Sequence, residues 1–147
     1  MYKNILVPTD GSPLSRAAAE KAVKLAKITG AKITAFFAAP APTPLIYKGL
    51  LPVGFTTTSE HAALAEKAAK RNLEYVEKLA KKAGVSVKST HVTDDYPANA
   101  ILAAAKKEKC DLIYIASHGQ TGFKNSLLGS QTTKVLADSP IPVLVHR

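Results

Sequence analysis

The sequence predicts an α/β protein with one parallel five-stranded sheet, both faces of which are covered by a total of four helices. Segments rich in β-formers alternate with amphipathic helical segments along all 147 residues. The strand segments include short, continuous apolar runs, which are typical of strands buried on both faces. A helical segment separates successive strands, as parallel neighbours require. One domain spanning residues 1–147 is therefore the expected organisation.

The first strand is predicted over Asn4 to Thr9 and is followed by a helix with clear end signals. Ser12 is expected to be the N-cap and Pro13 the first helical residue. Gly30 stands where a C-terminal cap belongs. The second strand is predicted over Lys32 to Ala38.

The proline-rich segment 39–58 interrupts this alternation with four prolines and two glycines. Prolines at this density exclude a regular helix or a central strand. A loop of about 20 residues is uncommon in a compact domain and is often functional. We interpret it as a lid or a partner contact, and plain disorder is the alternative that the sequence leaves open.

The second half of the chain continues the alternation to its end. The long helix over Ser59 to Ala83 is expected to bury a stripe of Leu64, Ala68, Leu73, Val76 and Leu79. The remaining elements are a strand over Val85 to Thr93, a helix over Pro97 to Lys109, a strand over Asp111 to Ser117, a helix over Ser126 to Asp138 and a strand over Ile141 to His146.

Composition restricts the location and the partners. No stretch approaches the roughly 20 apolar residues of a membrane span, and no secretory signal is recognised, so we expect no membrane partner. The single cysteine, Cys110, cannot form an internal disulfide, which favours the cytoplasm. The net charge of +9 would suit a polyanion, but the lysines are interleaved with alanine and glutamate on helix faces. Because no nucleic-acid motif accompanies them, we expect no nucleic-acid partner and only a mild attraction for small anions.

Two strand-to-helix turns are the candidate site, because open parallel sheets bind ligands beyond the carboxyl ends of their strands. The first turn, Pro8-Thr9-Asp10-Gly11-Ser12, places a carboxylate where it can accept hydrogen bonds from ribose hydroxyls or help to hold a metal. Capping of the following helix by Asp10 and Ser12 is an equal alternative.

The second turn runs from Ala116 to Ser130 and is longer than a connection requires. Glycines at 119, 122 and 129 allow backbone to approach a ligand, and Gly129-Ser130 falls near a helix start, which favours phosphate. His118 is interpreted as a support of the loop, and Lys124 as a solvated side chain.

Other site classes lack their motifs. No P-loop, no dinucleotide fingerprint and no hydrolase nucleophile elbow is present. The four histidines have no metal-ligand spacing, so we expect no metal held by the protein alone. Binding of Mg²⁺ mainly through the phosphates of a nucleotide stays open as an alternative.

Three segments together resemble the universal stress protein family: K-N-I-L-V-P-T-D-G-S, A-S-H-G-Q-T-G-F-K-N-S-L-L-G-S and S-P-I-P-V-L-V. The resemblance covers the whole chain apart from the proline-rich loop. It implies a doubly wound parallel sheet of order 3-2-1-4-5, homodimers, and a branch that binds ATP through G-x₂-G-x₉-G-[S/T]. Here the four motif positions hold Ala116, Gly119, Gly129 and Ser130, so three match.

The resemblance also implies a nucleotide site. Asp10 would hold the ribose, Ala38 and Ile115 would contact the base, and Gly119, Gly129 and Ser130 would hold the phosphates. The full set of implied nucleotide-binding residues is Pro8, Thr9, Asp10, Ala38, Ile115, Ala116, Ser117, His118, Gly119, Gly129, Ser130, Gln131 and Thr132.

Alanine at position 116 is the departure from the motif. If its φ were positive, the strain would be on the order of 1 kcal/mol, and otherwise the cost is one methyl group near the ligand. Neither would abolish binding of ATP or another adenine nucleotide.

The last strand, 141–146, is apolar and is expected at a sheet edge, where Pro142 is tolerated. Antiparallel pairing with a second copy would cover it, as the resemblance also implies, and a covering loop or helix is the alternative.

These observations predict a non-enzymatic nucleotide-binding protein in a stress-response or signalling role. A ligand-free dimeric interaction module is the alternative, and a slow ATPase is a third. An ATP pyrophosphatase is disfavoured, because Thr9 to Ser15 does not match the loop of that class.

Overall fold

The computed structural model describes residues 1–39, 58–119 and 128–147. It contains five strands and four helices in strict alternation. In chain order these are β1 (Asn4–Pro8), α1 (Pro13–Thr29), β2 (Lys32–Ala39), α2 (Thr58–Ala83), β3 (Val87–Thr93), α3 (Pro97–Lys107), β4 (Leu112–Ala116), α4 (Ser130–Asp138) and β5 (Val143–His146).

The five strands form one parallel sheet in the order β3-β2-β1-β4-β5. In the central register, Ile5 lies beside Ile33 on one side and beside Leu112 on the other. The chain therefore builds the sheet outward from β1 in one direction and then returns to continue it from β4. This confirms the predicted fold class and strand order.

Each face of the sheet is covered by a pair of helices. The side chains of Val7, Ile33 and Tyr114 pack with α1 and α2, whereas those of Leu6 and Ile113 pack with α3 and α4. All five residues of β1 and of β4 are buried, which explains why these strands are continuous apolar runs.

The predicted helix caps of α1 are confirmed. The Ser12 hydroxyl accepts a hydrogen bond from the Ser15 backbone N–H at 3.2 Å, and Pro13 is the first helical residue. Gly30 ends the helix with a φ of 75°, in the left-handed region that glycine adopts without strain.

Several predicted boundaries were wrong by a few residues. β3 begins at Val87 rather than at residue 85, and α3 ends at Lys107 rather than at residue 109, because Lys109 has a φ of 55° that a helix does not accommodate. β5 is shorter than predicted and covers only Val143–His146. α4 begins at Ser130 because Gly129 is extended, with φ −67° and ψ 155°, and serves as its N-cap; residues 126–127 lie outside the described residues.

One predicted core residue was wrong. Leu64 has 57% of its surface exposed, whereas Leu73 and Val76 on the same helix are buried. The first turns of α2 thus extend beyond the layer formed with α1 and the sheet. The prediction of a lid or partner contact over the proline-rich segment concerns residues that, between 40 and 57, lie outside the described part of the chain.

A buried polar network anchors the starts of the strands. The Asn4 side chain donates to the Glu108 carbonyl at 2.9 Å and accepts from the Thr34 hydroxyl at 2.9 Å. The Asp111 carboxylate accepts from the backbone N–H groups of Lys3 and Asn4.

Burial raises the pKa of the nearby Cys110 thiol above its ordinary value of 9.0, so the thiol stays protonated at neutral pH. Among the helices of the described ranges, none is long and apolar enough to cross a membrane.

Candidate functional site

A cavity of about 850 Å³ opens at the carboxyl ends of the strands, where β1 and β4 lie side by side. This is the point at which the order of the strands reverses, and open α/β sheets bind ligands there. The described residues that line it come from β1, β2, β4, the turns after β1 and β4, and the starts of α1, α3 and α4: Pro8, Thr9, Asp10, Ser15, Phe36, Ala38, Pro97, Ile101, Ile115, Ala116, His118, Gly119, Leu128, Gly129, Ser130, Gln131 and Thr132.

The turn after β1 is held by short-range hydrogen bonds. The Asp10 carboxylate accepts from the Ser12 backbone N–H at 2.9 Å, and Thr9 Oγ1 accepts from the Gly11 backbone N–H at 3.2 Å. The hydroxyls of Thr9 and Ser15 lie 3.2 Å apart. Since the Ser15 hydroxyl donates to the Ser12 carbonyl at 3.0 Å, Thr9 is the donor in this pair. The turn therefore both caps a helix and contributes to the cavity, because Ser12 caps α1 while Asp10 lines the cavity.

Gly119 brings the turn after β4 against the turn after β1. A Cβ at Gly119 would overlap the Asp10 carboxylate. Only a residue without a side chain leaves Asp10 in its place, so the close approach explains the glycine at this position.

Gly129 closes the same turn from its other end. Its backbone N–H donates to the Ser117 carbonyl at 2.7 Å, and a Cβ on it would lie 3.1 Å from the His118 Cα. The backbone N–H of Gly129 is therefore already engaged, which differs from the expectation that it holds a phosphate. The first N–H groups of α4, from Ser130 onward, have no acceptor within the helix and point toward its N-terminal end at the cavity.

Two side chains in the first turn of α4 hold neighbouring elements together. Gln131 Oε1 accepts from the Ala98 backbone N–H at 3.1 Å, at the start of α3. The Thr132 hydroxyl donates to the Ala116 carbonyl at 2.8 Å, at the end of β4. Both residues were predicted to extend a phosphate cradle, but these bonds leave their backbone N–H groups, rather than their side chains, for that role.

The opposite wall of the cavity is apolar. Phe36 and Ala38 of β2, Ile115 of β4, and Pro97 and Ile101 of α3 form it. These residues belong to the hydrophobic cluster on the α3 and α4 side of the sheet or to the start of α3. The cavity therefore combines an apolar region with a polar region that contains a carboxylate and a helix N-terminus.

The structure brings together every predicted site residue except Ser117. Ser117 is only 3% exposed, and its hydroxyl lies 3.2 Å from His118 Nδ1 below the cavity lining. Sequence reasoning missed Ser15, Phe36, Pro97, Ile101 and Leu128. Phe36 was predictable, since side chains alternate along a strand and Phe36 therefore lies on the same face of β2 as Ala38, which was predicted to contact the base. The position of α3 over the cavity is a tertiary feature without a local signal.

The backbone at Ala116 is ordinary. Lys109 is the only non-glycine residue with a positive φ in the described ranges, and Ala116 continues β4 with 6% of its surface exposed. Of the two costs considered for alanine in place of the motif glycine, only the extra methyl group applies.

Within residues 1–39, 58–119 and 128–147, no three histidine, cysteine, aspartate or glutamate side chains lie close enough together to hold a metal ion.

A family model described as the universal stress protein family matches residues 1–147. The chain belongs to the universal stress protein family. Universal stress protein MJ0531 of Methanocaldococcus jannaschii is 36% identical over 99% of this chain and 82% of its own length. A universal stress protein of Thermus aquaticus, from the region 3′ of the QAH/OAS sulfhydrylase, is 36% identical over 100% of both chains.

Solved structures share the fold of this universal stress protein. The structure of protein MJ0577 has a TM-score of 0.83 at 28% identity, with 99% of this chain and 96% of that chain covered. The universal stress protein of Archaeoglobus fulgidus in complex with dAMP has a TM-score of 0.69 at 18% identity over 99% and 98% of the two chains. An Arabidopsis thaliana family member with AMP bound has a TM-score of 0.69 at 14% identity over 98% and 90%.

Proposed function

We propose that this universal stress protein binds ATP or another adenine nucleotide in the cavity between β1 and β4, in a stress-response or signalling role. The observation that carries the proposal is the division of one cavity into an apolar wall and a polar end. A nucleotide has the same division, with a flat base at one end and phosphates at the other. The volume of about 850 Å³ lies in the range of small-molecule sites, roughly 300 to 1,000 Å³.

The base would occupy the apolar wall. Phe36 is 1% exposed and Ile115 is 6% exposed, so both are fixed by the core behind them. Pro97 and Ile101 close this region from α3. Burial of a purine against such fixed apolar side chains removes water from both its faces without ordering mobile groups.

The sugar and phosphates would occupy the polar end. Asp10 is the carboxylate on this side, and ribose hydroxyls are the donors that it would accept from. The N-terminus of α4 would receive the phosphates through backbone N–H groups of Ser130, Gln131 and Thr132, favoured by the helix dipole. Mg²⁺, if required, would be held mainly by the phosphates.

Two lines of comparison support the choice of an adenine nucleotide. Family members with dAMP and with AMP bound share this fold, although their identity to this chain is low. The chain also keeps Gly119, Gly129 and Ser130 at the spacing of the nucleotide-binding motif. We propose binding rather than catalysis as the role, and a hydrolysis assay with ATP would reveal slow turnover.

We also propose that the protein forms a homodimer through residues 141–146. β5 is an edge strand of the described sheet, paired in parallel with β4 only, and Leu144 is 38% exposed. Antiparallel pairing of two copies of β5 would satisfy this edge. Sedimentation of the wild type and of Leu144→Asp tests the pairing, and a monomeric wild type would exclude it.

Isothermal titration with ATP and with AMP, each with Mg²⁺ and after removal of co-purified nucleotide, tests the proposed site. Micromolar binding by the wild type and its loss in Gly129→Asp are expected, because that carboxylate would crowd His118 and repel phosphate. Gly30→Asp is the matched control, since it adds the same charge at an open position far from the cavity. No heat up to millimolar nucleotide would overturn the proposal and favour a ligand-free interaction module.

A further inference from the structure

The end of the molecule opposite the cavity is rich in lysine. The helices all run antiparallel to the strands, so their C-terminal ends meet the starts of the strands at one pole. Five exposed lysines lie in the last turns of three helices there: Lys27, Lys81, Lys82, Lys106 and Lys107.

Four further exposed lysines enter the same pole from outside the helices. Lys3 and Lys32 lie side by side at the starts of β1 and β2, where the Lys32 backbone N–H donates to the Lys3 carbonyl at 3.0 Å. Lys88, near the start of β3, contacts Glu108 at 2.6 Å. Lys109 follows α3. We call these nine lysines the basic pole.

Acidic residues offset only part of this charge. Glu108 and Asp111 lie within the pole, and Asp138 ends α4 at its edge. Nine lysines and three carboxylates give a net charge of +6, against +9 for the whole chain. Glu108 lies 2.6 Å from Lys88, and this hydrogen bond, aided by the charges of Lys107 and Lys32, holds the pKa of Glu108 below its ordinary value.

Helix dipoles explain only some of these residues. A cation in the last turn of a helix is favourable by itself, which accounts for lysines at the ends of α1, α2 and α3. Lys3, Lys32 and Lys88 belong to strands or precede them, where no such dipole acts. Although Lys88 pairs with Glu108, nine lysines against three carboxylates leave an excess of like charge at this pole, and an anionic partner would reduce that repulsion.

Exposed apolar side chains accompany the lysines. Among the large apolar residues in the described ranges, Met1 and Ile28 have the highest exposures, 98% and 83%. Met1 is two residues from Lys3, and Ile28 directly follows Lys27. Lysines around exposed apolar side chains are the combination that binds anionic lipid bilayers, with the charges at the headgroups and the apolar groups in the interface.

We propose that the basic pole docks on the surface of an anionic lipid bilayer. The contact is peripheral, and it would add a membrane partner that the sequence analysis did not expect. Because the pole lies at the starts of the strands and the cavity at their ends, the docked protein would present the cavity to the solvent. Docking and nucleotide binding could then occur together.

A nucleic acid fits the basic pole less well. All of its cations are lysines, which lack the planar fork with which arginine binds phosphate or guanine in two places. An exposed Ile28 would also gain nothing from a phosphate backbone, whereas it gains burial in a bilayer.

Co-sedimentation of the full chain with lipid vesicles tests the proposal. Vesicles of phosphatidylcholine with about a third phosphatidylserine are compared with pure phosphatidylcholine at low salt and at increasing salt. Lys3→Gln, Lys27→Gln and Lys32→Gln are combined in a pole variant. The matched control combines Lys21→Gln, Lys67→Gln and Lys70→Gln, which removes the same charge from exposed helix positions away from the pole.

We expect binding to the anionic vesicles alone, decreasing with salt. The pole variant should lose on the order of 100-fold in affinity, at about fivefold for each lysine, and the control much less. Ile28→Ser should lose about tenfold. Leu64→Ser, which removes an exposed apolar side chain at the other end of the molecule, should bind as the wild type does.

Three results would overturn the proposal. The first is the absence of binding to anionic vesicles at low salt. The second is an equal loss in the pole variant and its charge-matched control, which would indicate an effect of net charge. The third is unchanged binding by Ile28→Ser together with equally tight binding of duplex DNA, which would indicate a general polyanion site.

Discussion

The carboxylate of Asp10 and the backbone of Gly119 are in direct apposition, although 109 positions of the chain separate them in the printed sequence. This contact joins the turn after β1 to the turn after β4 across the reversal point of the sheet. The Asp10 carboxylate can therefore keep its position only because Gly119 has no side chain.

Gly119→Ala is therefore expected to displace the Asp10 carboxylate and weaken nucleotide binding by about tenfold or more, since one hydrogen-bonded contact to the ribose is lost. Titration calorimetry measures the affinity. Gly84→Ala is the control, because Gly84 has a φ of +74° and open space around it. It should lower stability by about 1 kcal/mol and leave affinity unchanged. Equal affinities in both variants would contradict the role of the contact.

Ala116→Gly restores the family motif but is expected to change affinity by less than about tenfold, because the backbone at this position carries no strain. Its main effect should be a loss of stability of about 1 kcal/mol, since glycine is unfavourable within a strand. Urea denaturation and calorimetry on the same samples measure both quantities. A large gain in affinity with no loss of stability would show that the methyl group, rather than the backbone, limits binding.

Gln131→Ala should reduce the free energy of unfolding by about 1 kcal/mol, because it leaves the Ala98 backbone N–H at the start of α3 without its 3.1 Å acceptor. Gln131→Glu keeps an acceptor oxygen and is expected to retain most of that stability. Urea denaturation compares the three proteins. Equal losses in both variants would contradict this role of the hydrogen bond, because Gln131→Glu keeps both an acceptor oxygen and the size of the side chain.

Glu108→Gln should produce a pH-dependent change in stability. The hydrogen bond from Lys88, aided by the charges of Lys88, Lys107 and Lys32, holds the pKa of Glu108 below its ordinary value of 4.5. A lowered pKa in the folded state means that the carboxylate stabilises the fold above about pH 4.5 and loses this effect as the pH falls through the folded pKa.

At pH 7 the variant should be less stable by up to about 1 kcal/mol, a small effect because Lys88 is largely exposed. The difference from the wild type should vanish as the pH falls below the lowered pKa of Glu108. Thermal unfolding at a series of pH values measures it, with Glu66→Gln at an exposed position of α2 as the control. A difference that persists unchanged in acid would exclude an electrostatic cause.

Local chemistry made the elements of this protein predictable. Ser12 and Pro13 mark a helix start by side-chain hydrogen bonding and by a fixed φ, and Gly30 marks a helix end because it adopts a positive φ. The buried strands β1 and β4 are recognisable in the sequence as continuous apolar runs. The family motif predicted the turn after β4, and the rest of the family resemblance predicted most of the other residues that line the cavity.

Contacts between distant parts of the chain were not predictable in the same way. The bond from Ala98 to Gln131, the engagement of the Gly129 N–H by Ser117, and the wall that Pro97 and Ile101 form depend on how α3 and α4 pack on the sheet. Leu64 lies on the apolar face that the periodicity of α2 predicts, yet it is exposed. Periodicity specifies which face of a helix is apolar, but it does not specify how much of the helix length is covered by α1 and the sheet.

The sequence by itself determined the alternation of strands and helices, the caps of α1 and the family, because each follows from residues close together in the chain or from a motif read in order. The tertiary structure alone decided that Gly119 must accommodate Asp10, that two side chains of α4 hold neighbouring elements, and that lysines from five elements and the segments beside them gather at one pole. The physical reason is that packing brings together residues whose separation in sequence carries no information about their distance, and steric exclusion and charge then act on that distance.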